Sequence, residues 1–140
     1  MFRVLDQRSD LPLLLEVSET SQFLSALPPA LRPAWALRYT QLLEPKSGRL
    51  LCAEWPTYKK PKDGGPPWAL PPKVYTAHLP RPGEIIPYDD EGNVLEEKLG
   101  SEREDGLERE AHWVPERTHA PGIQDGINTD FIGVWKHKSM

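Results

Sequence analysis

The sequence predicts an α/β domain with a parallel sheet early in the chain and an antiparallel pair added late. Two observations carry this. Apolar runs at residues 11–17 and 49–55 flank one helix-periodic segment, residues 31–43, and strands joined through a helix pair in parallel. The last two strand candidates, residues 107–115 and 131–135, are joined by a loop alone, the connection of an antiparallel pair. With 140 residues, 38% hydrophobic, and a mean hydropathy of -0.58, the chain is sized for one modest core.

Each element follows from its residues. Residues 1–10 are polar and read as irregular. In residues 11–17, Pro12 places a strand at an edge or delays its start. Residues 23–27 form a second short apolar run, closed by Pro28 and Pro29. Leu31, Trp35, Tyr39 and Leu42 then recur at helical spacing, with Arg32, Thr40 and Gln41 elsewhere around the wheel. Pro33 confines the helix start to its first turn, and Pro45 and Gly48 end it. Residues 72–79 form a short helix with Val74, Tyr75 and Leu79 inward and Pro80 as its stop. Residues 85–95 read as a small hairpin or wide loop around residues 89–93. Residues 98–106 have no apolar period and read as mobile. Residues 122–128 form a turn region.

Charge and composition exclude several classes. Net charge is -4 and the pI is about 5.6, against a nucleic-acid partner. Residues 84–110 hold 11 acids and 3 bases, a net of -8 within the overall -4, so the remainder carries +4. One cysteine excludes an internal disulfide and fits a reducing compartment. No apolar run reaches the length of a membrane span, and no secretory leader is recognisable. The default expectation is a cytoplasmic protein.

Residues 54–72 hold six prolines, two glycines, two tryptophans and a tyrosine in nineteen residues. Proline forbids helix and central strand here, while it stiffens the chain and the aromatics give it packing partners. A stiff aromatic loop leaving a strand end is suited to walling a ligand pocket; covering a sheet edge is the alternative.

Catalytic and metal signatures are absent. Ser25 lacks the flanking glycines of a nucleophile elbow. Cys52, in an apolar strand, reads as a buried thiol. His78, His112, His119 and His137 show no paired metal spacing. Neither a dinucleotide fingerprint nor a P-loop occurs. Lys59, Lys60 and Lys62 read as a solvated loop face, and residues 102–110 as a solvated acidic segment. Arg117, past a strand end and beside His119, suits either an anionic group or a structural ion pair.

Four stretches, taken together, go further. They are Phe23-Leu-Ser-Ala-Leu-Pro-Pro-Ala-Leu-Arg-Pro-Ala-Trp-Ala-Leu-Arg38, Gly48-Arg-Leu-Leu-Cys-Ala-Glu-Trp-Pro56, Gly64-Gly-Pro-Pro-Trp68 and His112-Trp-Val-Pro-Glu-Arg-Thr-His119. In this order and spacing they resemble the thiopurine S-methyltransferase family, in its fungal and plant thiol or halide methyltransferase branch. The resemblance covers residues 23–138. It implies the C-terminal part of a class I S-adenosylmethionine-dependent methyltransferase, a Rossmann-like sheet with a terminal antiparallel strand pair. Residues 23–27 would end the fourth strand, 31–43 form the next helix and 49–55 the fifth strand.

The resemblance also implies a function: methyl transfer from S-adenosylmethionine to a thiol, thiopurine or halide. That chemistry needs a dry pocket and in-line positioning more than a general acid. By this likeness Tyr58, Pro66, Pro67 and Trp68 wall the acceptor site, Arg117 supplies its cation, and Phe23 and Leu24 touch the cofactor's adenine. The family's Gly-rich turn and ribose-binding acid have no counterpart. Residues 1–22 match nothing in the family. The implied organisation is a divergent segment, 1–22, before a partial methyltransferase domain, 23–140, truncated and inactive alone. The alternative is a non-catalytic remnant that binds a protein partner, or itself, through an exposed sheet edge.

Overall fold

The computed structural model describes residues 24–139 and the backbone of two further strands, β1 (Arg3–Leu5) and β2 (Leu14–Glu16). β1 falls within the stretch read as irregular; the rest of that stretch and Phe23 lie outside the described residues. Among the described residues no helix is long and apolar enough to cross a membrane.

β3 (Arg49–Glu54) organises the sheet. Leu50, Cys52 and Glu54 are buried while Arg49, Leu51 and Ala53 are half-exposed, the period of two that sends alternate side chains to opposite faces. On one side β3 pairs in parallel with β2, Leu14 opposite Arg49 and Leu15 opposite Leu50. On the other it pairs antiparallel with β7 (Phe131–His137), and β4 (Leu107–Trp113) pairs antiparallel with the far side of β7. The strand order is β1-β2-β3-β7-β4, with β1 antiparallel to β2, so the fold is mixed α/β. The central strand and the late antiparallel pair are as expected. The region read as a turn holds a two-stranded hairpin, β5 (Ile123–Gln124) and β6 (Ile127–Asn128), with Asp125 and Gly126 both at positive φ in its tip.

α1 (Arg32–Leu42) is entered through a 3-10 turn, Pro29–Leu31, and Pro33 sits in its first turn, where its missing N–H costs nothing. Trp35 and Tyr39 are buried as the periodicity requires. Three wheel positions are corrected. Leu31 is 47% exposed, because the 3-10 turn takes it off the helix face; Arg32 and Thr40, read as lying off the apolar stripe, are buried. Thr40 satisfies its hydroxyl on the Ala36 carbonyl at 2.7 Å. α2 (Pro72–His78) starts on proline and buries Val74 and Tyr75. Both helices join one core with Leu50, Cys52 and Trp135 of the sheet.

Residues 24–26 are helical, which corrects the reading of residues 23–27 as a strand end. The parallel neighbour of β3 is β2, from the preceding apolar run. Residues 85–95 form the expected loop, with Tyr88 bridged to Val94 and Asp89 accepting the Glu91 and Asn93 N–H groups at 2.9 Å each. The segment read as mobile is tied down. Arg81 Nε donates to the Gly100 carbonyl at 2.8 Å, and the Arg103 and Leu107 N–H groups donate to Pro80 and Leu79 at 3.0 Å each. Those ties run through a buried arginine and main chain, which apolar periodicity does not report.

Candidate anion-binding site

The carboxyl ends of the strands in an open α/β sheet are where ligands bind, and the Pro-rich loop leaves β3 at that end. It folds back on itself. The Leu70 N–H donates to the Pro56 carbonyl at 2.8 Å, the Trp68 N–H to Ser25 at 2.7 Å, and Lys59 Nζ to Pro67 at 2.6 Å. Residue 65 must be glycine for this, since a Cβ there would stand 2.6 Å from the Trp68 ring. Trp68 is thereby laid against a cavity of about 160 Å³, whose other main walls are Pro29, Arg32, Pro61 and Tyr88.

Arg32 is 3% exposed. Its Nη2 donates to the Ala69 carbonyl at 3.0 Å and its Nη1 to the Tyr88 hydroxyl at 3.2 Å, with the guanidinium 5.7 Å from the Tyr88 ring centre. Nε has no partner, and no carboxylate among the described residues pairs with this arginine. A guanidinium keeps its charge, and a buried charge without a counter-ion is held at a cost of several kcal/mol. An anion entering the cavity would offset that cost.

Behind Tyr88 stands His78, 0% exposed, its Nε2 2.7 Å from the Tyr88 hydroxyl. Burial, and then the charge of Arg32, hold His78 down to about 3 from an ordinary 6.5. The Tyr88 oxygen accepts from Arg32 and shares one hydrogen bond with His78, whose direction follows the imidazole tautomer. Burial also pushes the Tyr88 phenol up, against the opposing pull of Arg32.

No family model, curated protein or solved structure matches this chain. What the site can do therefore rests on its geometry.

Of the residues expected at an acceptor site, Trp68 lines this cavity. Tyr58, Pro66, Pro67 and Arg117 are exposed and do not line it, and Arg117 makes no hydrogen bond or ion pair among the described residues. The cation is Arg32, 85 positions earlier in the chain. Leu24 is 0% exposed in the hydrophobic core, so it offers no surface to an adenine. Sequence reasoning missed Arg32, Tyr88 and His78. The one available signal was a lone arginine in the first turn of the best amphipathic helix, three residues after a Pro-Pro pair.

Two further polar clusters stand at the same end of the sheet. Glu54 is 0% exposed and its Oε1 lies 3.0 Å from His112 Nε2, while His112 stacks on Phe131 at 4.9 Å. Burial pushes the Glu54 carboxyl up, against the pull of His112. The pair spans the middle strand at Gly133, where a Cβ would stand 2.7 Å from Glu54 Oε2. In the second cluster, Asp130 takes the Thr118 hydroxyl and His119 Nε2, the latter at 3.2 Å, and Trp55 packs edge-on to His119. Among the described residues no group of ligands could hold a metal ion. Cys52 is buried and its thiol is pushed well up by burial, as expected of an inert core cysteine.

Proposed function

We propose that this chain is the acceptor-binding, C-terminal part of a class I methyltransferase of the thiopurine S-methyltransferase type, taking a small thiolate, thiopurine or halide at Arg32. The observation that carries the reading is a buried guanidinium, unpaired with any carboxylate among the described residues, facing a Trp68-walled cavity at the carboxyl end of β3. The central strand flanked by a late antiparallel pair supports it. Arg32 holds the anion's charge, Trp68 and the prolines keep water away, and Tyr88 fixes the guanidinium.

S-adenosylmethionine is the methyl donor this resemblance implies, and the residues described here do not fit it. The sequence contains no Gly-rich turn for its methionine part, and Leu24 lies inside the core. Losing several polar contacts, at about 0.5–3 kcal/mol each, weakens cofactor affinity by orders of magnitude. The same mismatch favours the second reading, a non-catalytic relative that keeps the anion cavity without the methyl transfer.

The test is calorimetric titration of the 140-residue chain with S-adenosylmethionine and, separately, with sodium iodide, alongside methylation of a small thiol. Saturable iodide binding, lost in Arg32→Met, with weak or absent cofactor binding is expected. Micromolar cofactor binding with turnover would overturn the partial-site reading. Absence of iodide binding would overturn the acceptor site.

A further inference from the structure

Arg32 comes from α1, His78 from α2 and Tyr88 from the loop after α2, and the three meet in one chain of part-buried hydrogen bonds. We propose that Tyr88 and His78 are positioning residues that hold Arg32 as a fixed positive charge, so that the cavity takes ligands already ionised in solution and receives no proton from them. This rests on the acceptor-anion reading of the cavity.

A guanidinium only donates, so the Tyr88 oxygen accepts from Nη1. The same hydroxyl shares a second hydrogen bond with His78 Nε2, 2.7 Å away, as donor or acceptor according to the imidazole tautomer. His78 is 0% exposed and does not line the cavity, so a ligand there does not reach its ring nitrogens. A protonated His78 would place a second buried cation against Arg32. Among the described residues, the groups that face it are Arg32, from α1, and Tyr88, from the loop. Arg81, three residues further on, is directed to the Gly100, Thr76 and Ala77 carbonyls. None of these is an acid that could stabilise an imidazolium, which agrees with the low value at which His78 titrates.

The alternative assignment makes His78 the titrating cation or base of the site, and a pH profile separates the two. Iodide keeps one charge at every pH, so any pH dependence of its binding belongs to the protein. Iodide is titrated into the full chain and followed at the Trp68 indole N–H by NMR. The expected dissociation constant varies by less than about threefold between about pH 5 and about pH 9. His78→Leu, which strips the Tyr88 hydroxyl of this hydrogen-bond partner, is expected to weaken iodide about tenfold. His78→Gln, whose amide can accept or donate the same hydrogen bond, is expected to restore binding to within about threefold. An affinity that drops about tenfold or more from about pH 6 to about pH 8 in the wild-type chain overturns the proposal and leaves the anion site standing. Equal affinity in His78→Leu also overturns it. If iodide does not bind at all, the acceptor site falls with it. The wild-type profile needs no variant to fold.

Discussion

Arg32 sets two opposing energies against each other. Its hydrogen bonds to Ala69 and Tyr88 join α1 to two loops, each such bond to a charged group being worth about 1.5–3 kcal/mol. Burial of a guanidinium without a carboxylate costs several kcal/mol. The two nearly cancel, so Arg32→Met should change stability in urea unfolding by no more than about 1 kcal/mol while abolishing iodide binding. A loss far beyond that would make the arginine a structural tie. His78 gives a second prediction. Its folded value of about 3 lies below its ordinary 6.5, so between them the unfolded chain binds more protons. Stability from this group is complete above the ordinary value and is lost as pH falls toward the folded one, by on the order of a few kcal/mol. Glu54, pushed up by burial, acts with the opposite sign, so the quantity to measure is the difference between wild-type and His78→Leu stability across that interval. The difference should shrink toward acid; parallel curves would sink the prediction.

Among the elements, β7 does most to shape the sheet. It lies antiparallel between β3 and β4, and Gly133 at its centre leaves the space through which Glu54 and His112 reach each other. Gly133→Ala would set a methyl 2.7 Å from Glu54 Oε2 and 3.1 Å from Trp135 Nε1, both buried. Neither strand backbone nor a core tryptophan gives way cheaply, so the substitution should cost about 1–3 kcal/mol, read as a lower thermal midpoint. The β4 element was expected from residues 107–115. Its partner across Gly133 was not, because 58 residues separate Glu54 from His112 and no local pattern links them. The same holds for the cavity: Trp68 was readable from a stiff aromatic loop, whereas Arg32 and Tyr88 meet across 56 positions.

At the scale of the molecule, β2 and β1 extend the sheet on one side of β3, which leaves β1 at one edge. The other edge is β4, and it is blunted. Glu108, Arg109 and Glu110 lie along it, and the register shifts between Arg109 and Ala111. Charges and bulges on an edge oppose pairing with another copy. Replacing Glu108 and Glu110 together by valine should therefore produce concentration-dependent association in sedimentation velocity, with wild type sedimenting independently of concentration. Association of wild type to the same extent would show that these charges do not guard the edge.

Periodicity determined the helix around Trp35 and Tyr39, the central strand from Arg49 and the short helix at Val74 and Tyr75, and the loop connection determined the late antiparallel pair. Each periodic element buries one face, and burying one face imprints a period of two or 3.6 on neighbouring residues. The tertiary structure decided what no period encodes. It placed β2 beside β3 and turned residues 24–26 into helix, closing Leu24 into the core. It carried Arg32 inward on a helix face that the wheel assigned to solvent, and left Arg117 outside. A charged side chain is tolerated inside only where distant groups satisfy it. For Arg32 those groups are the Ala69 carbonyl and a tyrosine hydroxyl backed by His78, brought together by the fold from three separate parts of the chain.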